Sequence, residues 1–209
     1  MKYLTFKQKI KSFPVFSTGL LSSLTDKVAT IKVQLTHWKK KGLIIQLRKG
    51  LYILGNEDRE IEPSLFYMAN QIFVPSYVSL ESAFAFYGLI PEFVAQITSV
   101  STRKTCKFQN EFGTFSYQHL KPECYSGFTA LKDENGLSIL IADPEKAIVD
   151  FLYFNLSKFD PKRDDIFEES YRFQNCDKLN KRKIKIFAKL FKSKRLNSIS
   201  DLFIKEIIK

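Results

Sequence analysis

The string IADPEKAIVD, residues 141–150, holds the densest run of chemically able side chains in the chain. Asp143, Glu145 and Asp150 beside Lys146 are the residue types with which hydrolytic enzymes hold a divalent metal. Their spacing speaks against that use. Asp143 and Glu145 straddle Pro144, and a nuclease-type E-x-K would need its lysine one position later. The same residues suit the start of a helix. Asp143 is placed as the N-cap, Pro144 as the first helical residue, and Glu145 in the first turn, where the helix dipole favours negative charge. Elsewhere reactive groups are sparse. His37 and His119 stand apart, and Cys106, Cys124 and Cys176 are odd in number and scattered, so no zinc-type pairing arises. Such cysteine usage suits a reducing cytoplasm rather than a disulfide framework. No phosphate-cradling glycine loop, nucleophile elbow or H-E-x-x-H is present. The reading is no catalytic residue, no metal and no cofactor, with a metal-dependent enzyme on Asp143, Glu145 and Asp150 kept as an alternative.

A second string, KKKGLIIQLRKGLYI at 39–53, carries binding chemistry instead. Before it, Val28, Ile31, Leu35 and Trp38 recur at i, i+3, i+7 and i+10, one face of a helix spanning about 27–41. Gly42 suits the left-handed residue that ends it. Opposite lie Thr30, Val33, Thr36, His37 and Lys40, with Lys32 and Gln34 on the shoulders. A helix that reads a DNA major groove needs that division, one apolar face for its own domain and one short polar face outward. Lys27, Lys39, Lys40 and Lys41 are then expected on phosphates, which supply affinity and little specificity. Gln34 is expected at an adenine edge and Val33 at a thymine methyl. Leu43–Leu47 and Leu51–Leu54 read as a hairpin around Arg48-Lys49-Gly50. Gln46, Arg48 and Lys49 would carry the basic surface to the backbone or minor groove beside the helix. The competing reading of the lysines is a solvated helix end that complements the dipole.

The elements that must position these residues come in a telling order. Residues 3–12 read as a helix with Leu4, Phe6 and Ile10 apolar, stopped by Pro14. Val15-Phe16 is extended. Ser17 caps a short helix through Leu20, Leu21 and Leu24, and Thr25-Asp26 breaks it. Helix, strand, helix, helix, hairpin is the order of a winged helix-turn-helix. A linker follows at Gly55–Glu60. Beyond it, helices are expected at 63–71, 79–87 and 144–154, and strands at 96–102, 106–108, 112–119 and 137–142. The fold class is thus α+β: a winged helix-turn-helix at 1–56, a mixed α/β domain at 57–175, and a basic helical C-terminal extension at 176–209.

Charge follows the same division. Residues 1–56 carry 11 basic and 1 acidic side chains, 57–175 carry 11 and 18, and 176–209 carry 11 and 3. Basic ends of this kind seek phosphate; an RNA-binding protein is a further alternative. Of the 209 residues, 44% are hydrophobic, which suits a folded chain and not a disordered one. No apolar run is long enough to span a bilayer, and MKYLTFKQKIKSF has no apolar signal core, so a cytoplasmic protein without a membrane partner is expected.

HWKKKGLIIQLRKGLYIL (37–54) resembles the helix-to-wing junction of AbiEi-type antitoxins, a family of predicted regulators of abortive-infection defence. Three further strings are similar to that family in the same order: YVSLESAFAFYGLIPE (77–92), ITSVSTRKTCKFQNEFGTFSYQHLKP (97–122) and ILIADPEKAIVDFLYF (139–154). The resemblance covers roughly residues 3–155. It implies the antitoxin of a type IV toxin–antitoxin system, a repressor whose winged helix binds inverted repeats in its own promoter. It also implies a second domain that counters a nucleotidyltransferase-like toxin without a stable complex, in a monomer or weak dimer. The enzyme alternative would then be an enzyme of defence.

Overall fold

A computed structural model describes residues 1–24, 28–159, 167 and 172–208. The chain is α+β. Its N-terminal part runs α1 (Tyr3–Ile10), β1 (Phe16–Ser17), α2 (Thr18–Leu24), α3 (Val28–Lys40), β2 (Ile44–Arg48) and β3 (Leu51–Leu54). The three strands form an antiparallel sheet ordered β1-β3-β2. Phe6, Ile10, Phe16, Leu21, Ile31, Leu35 and Trp38 fill its core, with Ile44 and Leu54 from the hairpin. Trp38 lies across Phe6 at a centroid distance of 4.5 Å and meets Tyr3 edge-on at 5.4 Å. Of the three apolar residues of α1, Phe6 and Ile10 lie i and i+4 on the inner stripe, and Leu4 falls outside it, 72% exposed. The break at Thr25-Asp26, Lys27, and the side chains of Leu24 and Val28 lie outside the described residues.

The remainder builds a six-stranded mixed sheet ordered β6-β7-β5-β4-β9-β8. Its strands are β4 (Ser76–Val78), β5 (Gln96–Ser101), β6 (Cys106–Asn110), β7 (Gly113–His119), β8 (Phe128–Lys132) and β9 (Ser138–Ala142). The helices are α4 (Leu65–Ile72), α5 (Leu80–Phe86), α6 (Pro144–Phe154), α7 (Lys181–Leu190) and α8 (Lys194–Glu206). Tyr77 pairs with Val100 and Tyr117 with Ser99. Successive residues of β5 point to opposite faces, so these two tyrosines do as well. The Tyr117 hydroxyl donates to the Ala69 carbonyl of α4 at 2.7 Å, whereas that of Tyr77 donates to Asp150 of α6 at 2.9 Å. The sheet is therefore sandwiched, with α4 on one face and α6 on the other.

Two features add to the expected elements. The hairpin β2–β3 is buried on both faces: Ile45, Leu47, Leu51 and Ile53 belong to the larger core, beside α4 and β6. The basic C-terminal segment is helical, and it packs into the larger core. Ile184, Ala188, Leu196, Ile199 and Phe203 enter the same core, and α7 and α8 pack on α6. The lysines of α7 line its outer side, as its Ile184–Ala188 stripe requires.

Candidate nucleic-acid interface

The helix α3 turns Ile31, Leu35 and Trp38 inward and presents Thr30, Lys32, Val33, Thr36, His37 and Lys40 to solvent. Val33 is 72% exposed, an apolar side chain on an otherwise polar face. The helix ends where Gly42 takes φ +70°, and the Leu43 N–H returns to the Trp38 carbonyl at 3.0 Å. The hairpin turns at Lys49-Gly50, with Gly50 at φ +81°, a region open to glycine at little cost. Arg48 pairs with Leu51 after an irregularity in register, so the connection is one residue shorter than expected. The Gly50 carbonyl accepts from the Thr18 N–H at 3.0 Å, which fixes the tip against the start of α2. Ser17 caps that helix by accepting from the Leu20 N–H at 3.1 Å.

Of the expected contact residues, seven on α3, Lys41 just after it and Lys49 at the tip are exposed. Several have partners inside the chain. The Gln34 side-chain amide donates to the Met1 carbonyl at 2.8 Å, and its oxygen accepts from the Met1 amino group at 3.4 Å. Lys39 Nζ donates to Gln46 Oε1 at 2.7 Å. Arg48 donates through Nε to the Ile72 carbonyl and through Nη1 to the Lys49 carbonyl, so its guanidinium ties the hairpin to the end of α4. Lys39 and Lys41 line a cleft of about 340 Å³ that also holds Glu57, Asp58 and Glu111. The outward side of α3 and the tip at Lys49 are thus open, while the lysine run divides: Lys40 faces out, and its two neighbours border acidic side chains.

A brace that sequence reasoning missed ties α1 to the acidic segment that follows β3. Asp58 accepts from the Tyr3 hydroxyl at 2.5 Å and pairs with Lys7 at 2.6 Å, and Lys11 pairs with Glu60 at 3.2 Å. The hydrogen bonds from Lys7 and then Tyr3 hold Asp58 below the usual carboxylate range. Burial first, then Asp58, pushes the Tyr3 phenol well up. Asn110 donates to the Leu47 carbonyl at 3.0 Å from the other side. The available signal was the acidic run 57–60 following lysines at 7, 9 and 11.

The three carboxylates of the 141–150 string go separate ways. Asp143 accepts from the Thr129 hydroxyl at 2.8 Å and lies 3.7 Å from Lys183; its side chain caps no helical N–H, contrary to expectation. Glu145 accepts from the Asn180 N–H at 2.9 Å. Asp150 is fully buried, paired with Lys146 and accepting from Tyr77 and Ser79. Among the described residues no three His, Cys, Asp or Glu side chains come together as a metal site, and no helix is long and apolar enough to cross a membrane.

No model of a known protein family matches the chain, and no curated protein is similar enough to count as a relative.

Proposed function

We propose that residues 1–56 are a winged helix-turn-helix, that α3 enters the major groove of duplex DNA, and that the protein is a transcriptional repressor. The observation that carries this is the division of α3. Its inner stripe docks the helix on its own core, and its outer stripe of Thr30, Lys32, Val33, Thr36, His37 and Lys40 is open to solvent. The strand order β1-β3-β2 and the basic turn at Lys49 beside α2 support the same reading. In this reading Lys32, Lys40 and Lys49 meet phosphates, and Thr30, Val33, Thr36 and His37 meet base edges. Arg48 and Gln34 serve the fold. The strings at 77–92, 97–122 and 139–154 support the wider proposal, the antitoxin of a type IV toxin–antitoxin pair that represses its own operon. Its functional partner is then a nucleotidyltransferase-like toxin.

The test is fluorescence anisotropy with the duplex upstream of the protein's own gene, a scrambled duplex and a structured RNA, each at two salt concentrations. Salt-sensitive binding that prefers the native duplex is expected. Equal binding to all three would leave only a non-specific phosphate grip and overturn the repressor reading.

A further inference from the structure

The DNA reading leaves the basic C-terminal segment without a role. Residues 178–200 carry nine basic and no acidic side chains. Within them α7 packs on α6, so it lies across the sheet from α4 and the hairpin.

The side chains of α7 divide in an unusual way. The core takes Ile184 and Ala188. At about 100° per residue, the position opposite their midpoint is that of Ile186. Ile186 is 60% exposed, and Leu190, one turn on, is 36% exposed. Arg182 stands one turn before them, and Lys183 and Lys189 flank this outermost line on its two sides. The crest of a strongly basic helix is thus apolar at two positions of three, where a merely solvated helix is polar. Little of the charge is used inside the fold. Lys183 lies 3.7 Å from Asp143, and Lys185 pairs with Asp201 at 2.9 Å. Lys181, Arg182, Lys189 and Lys192 form no ion pair with a described residue.

We infer that α7 is a peripheral membrane contact: it lies flat in the headgroup region of an anionic lipid bilayer. Charge complementarity selects an anionic surface, and the crest selects lipid among anionic surfaces. A row of phosphates along a nucleic acid gives Ile186 and Leu190 nothing apolar to enter. The boundary of the acyl chains does, while the lysine stems on either side reach up to the headgroup phosphates. The two terms act together, since the apolar insertion is shallow and the charge attraction is screened by salt. The sequence expectation of no membrane partner came from the lack of a spanning run, and a helix lying in the surface plane needs none. The inference rests on α7 and does not depend on DNA binding.

Co-sedimentation of the full chain with vesicles, without nucleic acid, tests it. One set of vesicles is phosphatidylcholine alone, the other phosphatidylcholine mixed with phosphatidylglycerol. Wild type is expected to pellet with the anionic set, less so at higher salt, and to stay in solution with the neutral set. Ile186→Ser and Lys189→Glu are each expected to weaken partitioning at least about fivefold. Both positions are exposed, so circular dichroism and the melting temperature should stay near wild type. Lys40→Glu on α3 is expected to leave partitioning unchanged. A chain that stays in solution with anionic vesicles overturns the inference. So does partitioning that Lys189→Glu weakens and Ile186→Ser leaves unchanged, the mark of a phosphate grip without insertion. Loss in Lys40→Glu alone would place the contact on α3 and overturn it as well.

Discussion

Lys146 and Asp150 lie four residues apart on α6, and both side chains are fully buried. Burial pushes the Asp150 carboxyl up, while the Lys146 ammonium and the Tyr77 and Ser79 hydroxyls pull it down. A charge in this position is tolerable only because each oxygen has a donor: Lys146 on one, Tyr77 and Ser79 on the other. The ammonium also lies 4.9 Å from the Phe191 ring centre. Lys146→Met should therefore cost about 3–5 kcal/mol, because it strands a buried carboxylate. Adding Asp150→Leu should recover most of that loss, short of the acceptor that Tyr77 and Ser79 lose. Urea unfolding midpoints read both. Equal destabilisation in the single and double variants would mean that the pair matters for packing and not for charge. The spacing of this pair is visible in IADPEKAIVD, but its burial is not. The donor that fixes it, Tyr77, stands 73 residues away on β4, a three-residue strand too short to leave a period in the sequence.

At the scale of the element, α3 was the most legible part of the chain. Three inner residues at helical spacing, a glycine stop and a polar outer face are local signals, and they suffice to set a helix and its two sides. Trp38→Ala should cost about 3–5 kcal/mol, because Phe6 and Tyr3 cannot close over the gap. A variant that unfolds at the wild-type midpoint would refute the buried tryptophan. Individual contacts were less legible, since they depend on what lies across from each side chain. Gln34 looks like a base reader in sequence, yet its amide is closed on Met1. Gln34→Ala should leave the preference among duplexes unchanged, whereas Lys40→Glu should weaken all duplexes and flatten the salt dependence by about one phosphate contact. Anisotropy on a small panel of duplexes separates the two. A change of preference in Gln34→Ala would return that residue to the reading face. The strand β8 went unread because FTALK has no alternation strong enough to mark it, while β2 and β3 were read correctly as strands but not as doubly buried. Their near-continuous apolar runs, IIQL and LYIL, are the pattern of strands covered on both faces.

The doubly buried hairpin decides how the whole molecule behaves. Ile44 and Leu54 belong to the small core, and Ile45, Leu47, Leu51 and Ile53 to the large one, so neither part completes its core without β2 and β3. Residues 1–56 produced alone would expose four large aliphatic side chains, and they should associate or melt well below the intact chain. The intact chain should unfold in one transition. The brace at Asp58 then gives this coupling a pH dependence. Folding lowers the pKa of Asp58 from its ordinary 3.8, through the hydrogen bonds from Lys7 and then Tyr3. A carboxylate lowered in this way contributes fully above its ordinary value and loses the contribution as pH falls through the lower, folded value. Asp58→Asn should therefore be less stable than wild type at neutral pH, and the gap should close as the pH drops below 3.8. Thermal melts of both proteins across that range measure it. A gap that persists at the acid end would place the loss in the geometry of the junction and not in the charge of Asp58.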